Sequence, residues 1–133
     1  MLLGTLPATG PGVRITVSDP GGHLGGEDLL DVVEELRGAG AEAISFGPVR
    51  VSTDTSFTGT KGTIRVDGRT LRPPYAIVAI GEPKTLDTAL NIPGGVAATL
   101  RTGGGELTVS ERSTVAITVT RALPRTKYAK PSR

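Results

Sequence analysis

"YAIVAIGEPKTLDTALNIPGG", residues 75–95, is the stretch on which the fold turns. Its first six residues, 75–80, form an apolar run without a polar alternate, which places them centrally in a sheet. Gly81 ends the run. Residues 83–90 then carry Leu86, Ala89 and Leu90 on one side of a helical period. Pro93 suits the first turn of a second helical segment, in which Val96, Ala97 and Leu100 continue the inward face to Arg101. Glycines near a strand-to-helix junction can cradle a phosphate, but Gly81 is followed by Glu82, an acid where the anion would sit. Gly94 and Gly95 come only after the helix has formed. Asn91, Pro93, Gly94 and Gly95 remain the one candidate contact for a small ligand or a partner.

The other strands decide between sheet types. Val13, Ile15 and Val17 alternate with Arg14, Thr16 and Ser18, a half-buried strand over 12–18. Residues 19–26, "DPGGHLGG", are turn formers and read as a flexible loop. A helix follows from Glu27 to Gly38, with Leu29, Val32, Val33 and Leu36 on one face and acids in its first turns. A second strand, 42–52, is interrupted at Gly47 and Pro48 by a bulge or turn. Residues 53–62 read as a polar loop, and "TIRVDGRTL" as a hairpin about the type I′ pair Asp67 and Gly68. The segment 103–120 closes the chain as a second hairpin, turning at Glu111 and Arg112.

A doubly wound parallel sheet needs strands apolar on both faces, and only 75–80 qualifies. The expectation is therefore an α+β fold: a ferredoxin-like (α/β plait) sandwich, mainly antiparallel, with the helices on one face. One domain spans 12–120, after a lead-in over 1–11 whose abrupt start suggests a piece of a longer chain.

Composition narrows the functions. The 133 residues contain no cysteine, which excludes disulfides, thiolate metal sites and cysteine nucleophiles. Lys and Arg number 15 against 13 Asp and Glu, but Arg121, Arg125, Lys127, Lys130 and Arg133 lie in the last thirteen positions, which hold no acid. Residues 1–120 thus carry 10 − 13 = −3. The tail 121–133 reads as disordered, able to touch an anionic surface. No apolar stretch approaches the roughly 20 residues that span a bilayer.

The glycine loop mimics a dinucleotide fingerprint but puts Pro20 at the first glycine and lacks an acid ending a second strand. His23 is the single histidine and has no companion ligands nearby, so neither a metal nor a catalytic role is expected. The acids of the first helix form a solvated face. Arg14, Arg50 and Arg65 are expected on the open face of the sheet, but RNA readers there need aromatic platforms and this chain is aromatic-poor. A protein contact or self-association through that face or a sheet edge is favoured instead.

At "GPGVRITVSD", "DLLDVVEELRGAGAEAIS" and "PPYAIVAIGEPKTLDTALNIPGGV" the chain resembles a bacterial family, domain-of-unknown-function family 881, over nearly all of residues 4–120. The resemblance implies an α/β plait, no enzyme activity and no catalytic residue to carry over; no cofactor or metal is expected. It also implies a membrane-associated, extracytoplasmic setting, since members look like proteins whose N-terminal membrane helix and coiled coil precede this domain. Some are linked to cell division or sporulation. These residues hold no such anchor, as expected of a piece of a longer chain, and the loop at 19–26 is glycine-rich where relatives carry a more ordinary connection. The expectation is a non-enzymatic protein-interaction domain, able to form a homo-oligomer and with no specific nucleic acid. The alternative is a small-ligand-binding regulatory domain.

Overall fold

The computed structural model describes residues 6–119, which build two antiparallel sheets and three helices. β1 (Ala8–Ser18) buries Val13, Ile15 and Val17 and leaves Arg14 and Thr16 in water; it starts at Ala8 rather than Gly12. α1 (Gly26–Gly38) buries Leu29, Val32, Val33 and Leu36, with Glu27 and Asp28 at its positive end and Arg37 at its negative end. β2 (Ala43–Phe46) and β3 (Val49–Arg50) form a tight hairpin, so the break at Gly47 and Pro48 is a turn. β4 (Phe57–Thr60), β5 (Thr63–Val66) and β6 (Arg69–Leu71) make a separate three-stranded sheet. Then come β7 (Tyr75–Ile80), α2 (Pro83–Leu90), α3 (Val96–Thr102) and β8 (Glu106–Ile117).

The main sheet has the order β3-β2-β7-β1-β8, every neighbour antiparallel. β7 is central, as its apolar run predicts, although Ala76 on its second face is exposed and Val78 only half-buried. The helices lie on one face, where Val13, Ile15, Val17, Ile77 and Ala79 share a core with Leu29, Val33, Leu86, Leu90 and Leu100. The small sheet packs against α1 and adds Ile64 and Val66 to that core.

Where the polar loop at 53–62 is expected, the chain forms β4. Phe57 pairs with Val66 and sets its ring edge-on to Phe46, with centroids 5.5 Å apart. The hairpin about Asp67 and Gly68 is as predicted, with positive φ at both (52° and 80°). Pro93 does not open a helix. It sits in a turn closed by a 2.8 Å bond from Gly95 N to Ile92 O, with φ of 76° at Gly94, and α3 begins at Val96.

The expected closing hairpin is one strand of 12 residues. Gly12 faces Arg112 but Gly10 faces Val115, so β8 carries an extra residue there, a β-bulge. The bulge reverses the side-chain faces. Leu107 and Val109 point to the helices, whereas Val115 and Ile117 join Ile80, Ala8 and Val78 in a small cluster on the back of the sheet. There Arg50, only 8% exposed, donates to Leu6 O (2.8 Å) and Val119 O (3.4 Å) and pins the two ends of the described chain side by side. The expected open basic face is thereby dismantled, because Arg50 is buried and Arg65 lies in the other sheet.

Candidate functional site

The glycine loop at 19–26 is ordered, and its order disposes of an anion cradle. Asp19 is 3% exposed, and its two carboxylate oxygens accept from His23 N and Leu24 N, each at 2.9 Å. Gly22 N donates to Asp19 O, and Gly25 N donates to the Asp28 carboxylate at 2.8 Å. The amides that could receive a phosphate already hold the chain's own carboxylates. Leu24 is driven into the core by this arrangement, and His23 is left exposed. Gly26 lies so close to β4 that an added Cβ would stand 2.8 Å from Thr58 backbone atoms, which explains a glycine in the first turn of α1.

Asn91, Pro93, Gly94 and Gly95 are brought together as the α2–α3 turn, exposed except for half-buried Gly95. Asn91 caps α2: its Nδ2 donates to Asp87 Oδ1 at 2.7 Å and to Asp87 O at 3.1 Å. At the other end of α2, Glu82 accepts from Thr85 N and Oγ1, and those bonds hold its pKa below the usual carboxyl value. Ile92 is 53% exposed at the tip of the turn, an apolar side chain offered to solvent. Asp87 also stands near Glu111 of β8. Hydrogen bonding to Asp87 first, then desolvation and the Asp87 charge, raises the Glu111 pKa.

The orientation of β8 follows from the hydrogen-bond phase of the sheet. Gly81 N donates to Pro11 O (2.8 Å) and Gly47 N to Ala76 O (2.7 Å). Along an antiparallel strand the backbone groups point alternately to one neighbour and the other. Val13, Ile15 and Val17 thus bond to β7, while Gly12, Arg14, Thr16 and Ser18 bond to β8. Their partners Arg112, Ser110, Thr108 and Glu106 turn their backbone inward. Leu107, Val109 and Glu111 turn N–H and C=O outward, and among the described residues no strand lies on that outer side of β8.

Clefts also open elsewhere on the surface of the described residues. One of about 260 Å³ runs between α1 and α3 beside Asp28, Asp31, Glu34 and Glu35; among the described residues no group of side chains could hold a metal ion. Another, of about 200 Å³, lies between the β2–β3 turn and the start of β7, with Pro48, Leu71, Arg72 and Tyr75 in its walls. The Tyr75 hydroxyl is buried and has no hydrogen-bond partner among the described residues; burial first, then Asp19, raises its pKa. The basic tail, 121–133, lies outside the described residues.

A family model described as "Bacterial protein of unknown function (DUF881)" matches residues 1–130. The UPF0749 protein Rv1825 of Mycobacterium tuberculosis is 44% identical over 135 residues, covering 98% of this chain and 46% of its own length. The UPF0749 protein YlxW of Bacillus subtilis is 30% identical over 106 residues, 72% of this chain and 46% of that protein. The chain thus spans about half the length of these relatives. A crystal structure of an uncharacterized conserved protein from Mycobacterium tuberculosis superposes with a TM-score of 0.89 at 44% identity, covering 98% of this chain and 94% of that one. Among the described residues no helix is long and apolar enough to cross a membrane.

Proposed function

The chain belongs to the bacterial DUF881 family of proteins of unknown function, and we propose that it is a non-enzymatic protein-interaction domain that receives a partner along the open edge of β8. The observation that carries this is the outward row of backbone groups at Leu107, Val109 and Glu111 on the edge strand of the main sheet. Edge pairing supplies affinity from the main chain, and flanking side chains supply selectivity. A ferredoxin-like description of the main sheet fits this role: β1-α1-β2 and β7-α2-α3-β8 are two β-α-β halves interleaved as β2-β7-β1-β8. In the longer protein we place the domain as the soluble part of a membrane-tethered, extracytoplasmic envelope protein acting in cell division, with the basic tail against an anionic surface.

A photo-crosslinking residue at Thr108, introduced into the full-length protein in its own bacterium, tests the reading. Adducts should form there and disappear when Val109→Pro removes an outward amide. Adducts indifferent to that change refute an edge-mediated contact. Detergent-dependent release of the full-length protein from the membrane fraction tests the tether. The second reading, a small-ligand regulatory domain, is favoured by the cleft of about 200 Å³ with Tyr75 in its wall, whose buried hydroxyl has no hydrogen-bond partner among the described residues. Thermal stabilisation by a small molecule that is lost in Tyr75→Phe would move the balance to it.

A further inference from the structure

From the ladder phase and the charge pattern of β8 we infer that the partner on this edge is a second copy of the chain, paired antiparallel about a two-fold axis through Val109. The inference rests on the edge-pairing reading above and adds the partner and its register.

Outward-facing residues must meet outward-facing residues if the new ladder is to close, so Leu107, Val109 and Glu111 must find one another across the axis. A two-fold pairing of these odd positions can centre only on a residue, never between two. The bulge beyond Arg112 ends the regular segment, which leaves 106–112 to pair. Centred on Val109, the strand sets Val109 opposite its equivalent, Leu107 opposite the second copy's Glu111, and Thr108 opposite Ser110. Glu106 then stands opposite Arg112, and by symmetry this happens twice.

The competing centres lose these contacts. Centring on Thr108 carries Arg112 past the end of β8 and sets Glu106 opposite Ser110. Centring on Ser110 sets Arg112 opposite Thr108 and Glu106 opposite the bulge. Centring on Glu111 puts two like charges face to face. Charges on an edge strand ordinarily discourage pairing. Here one register converts two of them into opposite-charge cross-strand pairs and adds Thr–Ser pairs, each a favourable neighbour on a sheet. Every pairing is self-complementary, as a closed two-fold interface requires. The two five-stranded sheets become continuous through their β8 strands.

The absence of cysteine from the chain makes the register directly testable. Across the proposed axis Thr108 and Ser110 form a non-hydrogen-bonded pair, with Cα atoms about 4.5 Å apart, within the span of a disulfide. The 133-residue chain should sediment at twice its monomer mass. Mixing Thr108→Cys with Ser110→Cys under mild oxidation should yield a disulfide heterodimer at least tenfold faster than either variant alone forms a homodimer. Glu106→Arg should weaken dimerisation at low salt, and combining it with Arg112→Glu should restore it. A chain that stays monomeric at high micromolar concentration overturns the inference. So does a dimer in which Thr108→Cys or Ser110→Cys crosslinks to itself faster than to the other. If the chain is monomeric while the Thr108 adducts in cells still depend on Val109, the second copy is refuted and the edge-pairing reading stands.

Discussion

Removing the carboxylate of Asp19 tests whether the glycine loop is a built element or a slack connection. Asp19 is 3% exposed and satisfies two main-chain amides, His23 N and Leu24 N, both at 2.9 Å. A buried donor left without its acceptor costs about 1–3 kcal/mol, so Asp19→Ala should cost about 2–6 kcal/mol. Asp19→Asn keeps one acceptor oxygen and should cost about half of that, roughly 1–3 kcal/mol. Against a domain stability of about 5–15 kcal/mol, the alanine variant falls near the edge of folding. Urea titration should show its midpoint lowered by about 1–3 M, taking m near the middle of the roughly 1–3 kcal/mol/M range for small domains. Hydrogen exchange supplies the residue-level check: the amides of 23 and 24 should be protected in the wild type and released in both variants. A loss below about 0.5 kcal/mol, the size expected of an unremarkable surface change, would refute the reasoning and return the loop to the mobile linker its glycines suggest.

Two glycines of α1 should respond with opposite signs. Gly38→Ala meets nothing within 4 Å and should stabilise by up to about 1 kcal/mol through helix propensity. Gly26→Ala drives its Cβ against the Thr58 backbone at 2.8 Å and should lose up to about 2 kcal/mol net, since overpacking of about 1–3 kcal/mol outweighs a propensity gain of about 1 kcal/mol. Denaturant midpoints compare them directly. Arg50→Met keeps the buried stem but strips the donors from Leu6 O and Val119 O, so hydrogen exchange in 115–119 should accelerate more than in 106–112. Glu111 titrates above the usual carboxyl value because it bonds Asp87, so its contribution to stability is full below about pH 4 and lost as pH rises through the raised value. Glu111→Gln keeps a donor for Asp87 at every pH, and its melting temperature should not show that loss. The exposed pair makes the effect small and salt-sensitive, which calorimetry at two ionic strengths resolves.

Elements whose evidence lies within their own residues were legible: α1 from Leu29, Val32, Val33 and Leu36, β7 from its unbroken apolar run, and the Asp67–Gly68 turn from its dipeptide. Elements defined by a distant neighbour were not. Nothing in "FTGT" announces β4, because three of its four residues are exposed and its reason for being a strand is Phe57 against Val66 and Phe46. β8 misled for a related reason. Glu111, Arg112, Ser113 and Thr114 are all exposed, as a turn would be, yet they are exposed because the strand lies at the edge and bulges against Gly10 and Gly12. The same bulge sends Val109 and Val115 to opposite faces although both positions are odd, so a period-of-two reading could not assign them. The α2–α3 turn was visible from Asn91, Pro93, Gly94 and Gly95, but the approach of Asp87 to Glu111 of the edge strand required the fold. Which backbone groups face outward depends on Pro11 and Ala76, on two other strands of the sheet. An interaction surface made of main-chain groups leaves no residue motif behind, so a family can present such an edge while its sequences show no recognisable site.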